Sequence, residues 1–314
     1  MAFYFKRKEP VRKAIRRLAK ERIEKALEFL RDHGRAEAVH CTRKEIKKVR
    51  AVLRLARKNI SNKAHRRQTD LLRDAAEQLS ATRDAYVKGA ALKKLSQHFR
   101  GQLAPKALGH IRKKLNADLK EERKRFAQHK NATTVKRRLS RASKELDGLK
   151  FRAKGWGGIG PGLKGSYRRG RRAYRAALKD PSPENFHEWR KRAKDLWSEV
   201  RLLKHVWPEQ MEAIAHELKT LGECLGDDHD LFLLKQSVEG DSDLKEKAQE
   251  SSMLNGLIDR RQRDLRTAAL EIGARFYAEK PSAFCSRLAR YWRAWRNGWH
   301  PGGSRAQAIH QTLG

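Results

Sequence analysis

Apolar residues recur at helical spacing along nearly the whole chain, and the alternating pattern of a half-buried strand is absent. This periodicity predicts helices over about 10–33, 36–60, 64–79, 83–98, 105–129 and 132–150, then about 164–179, 183–206, 208–224, 228–238, 245–279 and 281–297. Between the two sets lies a concentrated breaker segment, Gly155-Trp-Gly-Gly-Ile-Gly-Pro-Gly162. It lacks the strand-then-helix setting of a phosphate-binding loop and reads as a linker. The expected class is all-α.

The two sets of helices align block by block. Ile15-Arg16-Arg17 matches Tyr167-Arg168-Arg169, with Lys20 opposite Arg172. His40-Cys-Thr-Arg43-Lys44-Glu-Ile-Lys47 matches His187-Glu-Trp-Arg190-Lys191-Arg-Ala-Lys194, and Arg54 matches Arg201. Further on, Glu77-x-Leu79-Ser80-x-x-Arg83-Asp84 parallels Glu223-x-Leu225-Gly226-x-x-His229-Asp230. The expectation is an internal duplication giving two pseudo-symmetric, four-helix-bundle-like halves. One domain then covers 8–297, with half 1 at about 8–150, a Gly-rich connector at 153–165 and half 2 at about 166–297; a C-terminal tail, 298–314, follows.

The shared spacing His-x-x-Arg-Lys-x-x-Lys sets its cations at i, i+3, i+4 and i+7, on one face of a helix. On a wheel centred on His40, Arg43, Lys44, Lys47 and Arg54 lie within about 60°, while Ile46, Val49 and Leu53 lie opposite. In the second copy Arg190, Lys191, Lys194 and Arg201 flank His187, opposed by Leu196, Val200 and Leu203. The first helix of each half is arranged alike, with Arg17 and Lys20, then Arg169 and Arg172, opposite its apolar side. Few acidic residues sit four positions away, so these are not the mixed-sign stripes of ordinary solvated helices. If the four basic faces converge, they form a cleft that phosphates along a chain would neutralise.

Charge sharpens that picture. Of 314 residues, 74 are Lys or Arg and 37 Asp or Glu, a formal net charge of +37 that calls for a polyanionic partner. Nucleic acid, anionic lipid and inorganic polyphosphate all qualify. Three scattered cysteines, Cys41, Cys224 and Cys285, fit neither a disulfide framework nor a zinc site and suggest a reducing compartment. No run approaches a membrane span, and the N-terminus lacks a secretory apolar stretch, so a soluble cytoplasmic protein is expected.

With those residues in place, the chain resembles the CHAD domain, the conserved histidine α-helical domain. The resemblance rests on His40 to Arg54, on His187 to Arg201, and on Leu225-Gly226-Asp-Asp-His-Asp230 with Leu79-Ser80-Ala-Thr-Arg-Asp84 as its degenerate first copy. It implies binding of inorganic polyphosphate in a basic central groove or pore, and association with polyphosphate granules. The residues assigned to that contact are His40, Arg43, Lys44, Lys47, Arg50, Arg54, His187, Arg190, Lys191, Lys194 and Arg201, together with Arg17, Lys20, Arg169 and Arg172. Asp195 and Trp197 stand where the first half has Lys48 and Arg50, a departure that loosens the second copy there.

Other chemistry is not expected. In Asp227-Asp228-His229-Asp230 only the last Asp recurs, at Asp84, which favours capping or pairing with a buried Arg over a metal site. The His40-Cys41 pair is not repeated, since Glu follows His187. The Glu-x-Glu-x-Lys strand of the triphosphate-tunnel enzymes to which some CHAD domains are fused is missing, so no catalysis and no cofactor are expected, although a bound polyanion can carry Mg²⁺ or Ca²⁺. The tryptophans read as core rather than as a stacking ladder. Nucleic-acid binding is the alternative, secondary because no recognised nucleic-acid motif is present, and a phosphohydrolase is the third reading.

Overall fold

The computed structural model describes residues 3–31, 36–102, 107–128, 131–242 and 248–298; for 36–37, 80–86, 123, 125–128 and 131 it describes the backbone only. The tail predicted from 299 onward lies outside the described residues, as do the side chains of Arg83, Asp84 and Phe126. Among the described residues there is no strand. The helices are α1 (Val11–Phe29), α2 (Ala36–Leu55), α3 (Asn62–Glu77), α4 (Ser80–His98), α5 (Gly109–Gln128), α6 (Asn131–Asp147), α7 (Gly160–Lys179), α8 (Pro183–Val200), α9 (Pro208–Glu239), α10 (Ala248–Phe276) and α11 (Pro281–Arg296). Single 3-10 turns follow α2 and α8 and precede α7.

Helix α1 shows why these elements form. Pro10 precedes it and fixes the entry of the chain. Val11, Ala14, Ile15, Leu18, Ala19, Ile23 and Ala26 then bury one face at 3.6-residue spacing, against α2 and α6. Proline stands in the first turn of α7, α8, α9 and α11, where its missing N–H leaves no bond unmade. Ser61 caps α3 by accepting the Ala64 N–H at 3.2 Å.

The packing crosses the boundary between the predicted halves. One large core joins Ile15, Leu18, Ile46 and Leu72 of the first half to Leu163, Trp189, Leu196 and Leu288 of the second. A smaller core takes Leu92, Leu95, Ile111 and Leu115 from α4 and α5, and Leu231, Leu234, Leu254 and Ile258 from α9 and α10. The α4–α5 pair therefore packs on the second half rather than on its own. The N-terminal segment crosses over as well: Phe5 is buried with its N–H on the Leu202 carbonyl at 3.0 Å, and its ring meets Trp292 edge-on.

Two sequence expectations are corrected. The glycine segment is not a linker. It forms a 3-10 turn, Gly155–Gly158, and then the first turn of α7, which begins at Gly160. A Cβ on Gly162 would come within 2.1 Å of the Leu55 carbonyl oxygen, and one on Gly160 within 2.3 Å of the Trp156 indole nitrogen. Gly162 lets α7 press on the end of α2, and Gly160 makes room for the Trp156 ring of the preceding turn. Asn59, buried in the large core, pins the preceding stretch by accepting the N–H groups of Arg152 and Ala153 and donating to the Ala153 carbonyl. The second correction is that 208–224 and 228–238 are one helix, α9, running straight through Gly226. A single interior glycine costs about 1 kcal/mol, too little to break a helix packed along both α8 and α10.

Candidate polyanion-binding cavity

A cavity of ≈ 1180 Å³ lies between α2 and α8 on one side and α4 and α9 on the other. From α2 it is lined by His40, Arg43, Lys44, Lys47, Lys48, Arg50 and Arg54, and from α8 and the turn after it by Arg190, Lys191, Arg192, Lys194 and Arg201. The helical spacing explains this directly. Ile46, Val49 and Leu53 of α2, and Leu196 and Val200 of α8, are sunk in the core, so the opposite faces must look into the gap. The α4 and α9 side is mixed: Val87, Ala90, Ala91, Leu95, Leu218 and Leu231 are interspersed with Lys94 and Lys219 and with three of the four carboxylates, Glu223, Asp227 and Asp230.

Fourteen lysines and arginines line the cavity against four carboxylates, Asp195, Glu223, Asp227 and Asp230. A concave surface with one sign of charge and a low-dielectric wall focuses its field inward. The cations feel the crowding. Burial and the neighbouring Arg54 hold Arg50 below the usual arginine range, and burial does the same to Arg201. Lys48 is also lowered, by burial and by Arg22 and Arg201, although Glu45 holds its ammonium at 2.6 Å. Each charge is more costly here than in water, and an anion brought between them reverses that cost.

The floor is built with care for the long cations. Gly222 and Gly226 lie one helical turn apart on α9, and the side chain of Lys194 lies along them. Cβ atoms there would stand 3.6 Å from its Cγ and 3.4 Å from its Nζ. The guanidinium of Arg190, almost fully buried, lies 3.7 Å from Asp230. That is the pairing with a buried arginine expected for the Asp227–Asp230 run. Its neighbour Asp228 is buried against Gln262 and Arg266, also in a structural role. Among the described residues no cluster of His, Cys, Asp and Glu could hold a metal ion.

At one end of the cavity Arg54 reaches from α2 to α8, with Asp195 at 2.8 Å and Glu199 at 3.2 Å. Glu199 is completely buried, accepts a second hydrogen bond from Ser166 at 2.9 Å, and has no partner on Oε2. Burial outweighs the attraction of Arg54 and pushes its carboxyl up to about 7. Arg169 completes the chain by donating to Ser166 Oγ at 2.9 Å.

Of the residues singled out by sequence, the cavity gathers His40, Arg43, Lys44, Lys47, Arg50, Arg54, Arg190, Lys191, Lys194 and Arg201. His187 is not in its lining. It is half-buried with its ring against His229, Nδ1 to Nδ1 at 3.0 Å. The four basic faces expected to converge do not. Arg17 is held by Glu9 at 2.7 Å and Glu21 at 3.3 Å, and Lys20 by Asp147 at 2.6 Å. Arg169 belongs to the Ser166 network, and Arg172 is exposed on the outer face of α7. Only the α2 and α8 faces meet in the gap, because α1 and α7 stand behind them. The sequence reading did not include Lys48, Lys94, Arg192, Lys219 and Arg261, which also line the cavity. Lys94 and Arg261 sit on helices brought in from opposite halves, and nothing in their local pattern marks them.

No helix of the described residues is long and apolar enough to cross a membrane. Among solved structures, the fold is similar to PptA from Streptomyces chartreusis, at 12% identity and a TM-score of 0.59, covering 86% of this chain and 100% of that one. It is also similar to the CHAD domain from the plant Ricinus communis, at 14% identity and a TM-score of 0.55, covering 96% of each chain. Comparison with curated proteins gave no match. The family model of the CHAD domain matches residues 9–239, from just before α1 to the end of α9. With that match spanning well over half of its length, the chain belongs to the CHAD domain family.

Proposed function

We propose that the cavity binds inorganic polyphosphate by electrostatic capture and carries out no chemistry on it. The observation that supports this most is that both histidine helices line one cavity side by side, with fourteen cations against four carboxylates. Arg43, Arg50, Arg54, Arg190 and Arg201 offer forked donors to phosphoryl oxygens, and Lys44, Lys47, Lys191 and Lys194 offer point charges. His40 adds a hydrogen bond at the exposed mouth. A cavity of ≈ 1180 Å³ has room for an extended phosphate chain laid along α2, where the run from His40 to Arg54 is about 21 Å at 1.5 Å per residue. Nucleic acid ranks second because the chain carries no recognised nucleic-acid motif.

The repeated His-x-x-Arg-Lys-x-x-Lys face is the mark of an internal duplication in this reading, and the cavity is where its two copies meet. A cytoplasmic location at polyphosphate granules follows from the ligand. Any Mg²⁺ or Ca²⁺ arrives with the polyanion. The test is the double substitution Lys47→Gln with Lys194→Gln, assayed by polyphosphate titration over a range of salt. Affinity should fall at least tenfold with a shallower salt dependence and unchanged helicity. Unaltered affinity would remove the proposal, as would phosphate release on adding Mg²⁺ or Mn²⁺ to the wild type.

A further inference from the structure

Outside the cavity, the outer face of α7 is strongly one-sided in charge. That helix carries seven cations and no carboxylate in twenty residues. Lys164, Arg168, Arg172, Arg175 and Lys179 are all exposed, and none makes an ion pair or a side-chain hydrogen bond. At 100° per residue the five fall within about 80° of one another, along about 22 Å of helix. Their stripe is opposed by the buried Leu163, Tyr167, Gly170, Ala173 and Ala177.

Ordinary solvated helices mix their charges, because like charges at i, i+4 destabilise the helix. Here Lys164, Arg168 and Arg172 follow one another at that spacing without relief, and so do Arg175 and Lys179. The cavity does not account for them, since its lining has a net charge of only +10 with histidine neutral, against +37 for the chain.

We infer that the exposed stripe on α7 is a second polyanion-binding surface that takes a separate segment of phosphate chain, so that one molecule holds a long chain at two places. The identity of the ligand rests on the reading of the cavity; the existence of the second site does not. A single line of cations on a convex helix suits a flexible linear polyanion. Single-stranded nucleic acid would want exposed aromatics to stack on, and the two of α7 are turned away, Tyr167 stacked on Phe284 and Tyr174 packed between Trp189 and Tyr277. Arg169, on the flank of the same helix, lies beside the cavity network through Ser166 and Glu199, which places the two sites on either side of α7. Two tethered sites give a long chain an avidity that a short one cannot have.

The experiment compares wild type, the cavity variant Lys47→Gln/Lys194→Gln and the stripe variant Arg168→Gln/Arg172→Gln/Arg175→Gln, with circular dichroism confirming equal helicity. Short-chain polyphosphate titrated calorimetrically should show two classes of site on wild type. The stripe variant should lose the weaker class and keep the tighter one within about twofold, while its affinity for long-chain polyphosphate falls tenfold or more. A single class of site on wild type would overturn the inference, as would a stripe variant with unchanged stoichiometry and long-chain affinity. Duplex DNA that binds the stripe and resists displacement by polyphosphate would overturn the choice of ligand. Failure of the cavity reading shows elsewhere, as retention of the tight class by the cavity variant.

Discussion

Replacing Glu199 with glutamine separates the buried end of the cavity from everything around it. The carboxyl is completely buried and its pKa stands at about 7, against an ordinary 4.5. The folded protein therefore holds this proton more tightly than the unfolded chain does. Its stabilising contribution is complete below about pH 4.5 and is lost as the pH rises through 7. The rise from 4.5 to about 7, at about 1.36 kcal/mol for each tenfold change in proton affinity, is worth about 3 kcal/mol, of which roughly 2–3 kcal/mol falls between pH 5 and pH 8. Glutamine mimics the protonated group and carries no such dependence. It can still accept from Ser166 and Arg54 through its oxygen, and it places its amide where Oε2 has no partner. Urea unfolding in phosphate-free buffer at constant salt, at intervals from pH 5 to pH 8, should show wild type losing 2–3 kcal/mol relative to Glu199→Gln, with unchanged m-values. A second effect runs in parallel. Protonation of Glu199 loosens its hold on Arg54, so polyphosphate binding should tighten toward pH 6 in wild type more than in the variant. Parallel stability profiles, differing by a constant offset, would refute the reasoning.

Two further outcomes follow from the packing and the charge. Gly162→Ala forces a methyl group onto the Leu55 carbonyl, and because backbone cannot yield as a flexible side chain does, it should cost at least about 1–3 kcal/mol by thermal or urea unfolding. A cost below 0.5 kcal/mol would mean that α7 does not press on α2 there. Polyphosphate at a hundredfold excess over its Kd should stabilise the fold by about 2.7 kcal/mol, read as a rise in Tm that shrinks in the Lys47→Gln/Lys194→Gln variant. An equal rise in both would put the ligand elsewhere.

The sequence revealed what depends on local periodicity. His40 to Lys47 and His187 to Lys194 are cationic at i, i+3, i+4 and i+7 with leucine, isoleucine and valine opposite. Burying the apolar side turns the lysines and arginines of both runs into the gap, while His187 lies against His229 outside its lining. The same logic misassigned Arg17 and Lys20, because a basic face on one helix says nothing of the carboxylates that tertiary packing supplies. Lys20 meets Asp147 from 127 residues away. Arg172 failed for the opposite reason, since a face turned from its own apolar side need not turn toward the cavity. The glycines of 155–162 looked like flexibility and prove to be close packing, a distinction carried by the carbonyl of Leu55 and not by any neighbour in sequence. The Arg54–Glu199 contact was equally hidden, being a pair 145 residues apart whose meaning lies in its burial. The expectation of two four-helix-bundle-like halves did not say that the apolar faces of α4 and α5 would be completed by α9 and α10.

The measurement that bears most directly on the central claim is a crystal structure grown with medium-length polyphosphate. Continuous phosphorus density should run through the cavity along α2 and α8, within hydrogen-bonding reach of Lys47 and Lys194 and on past Arg54. Density confined to outer surfaces, with the cavity left to water, would contradict it.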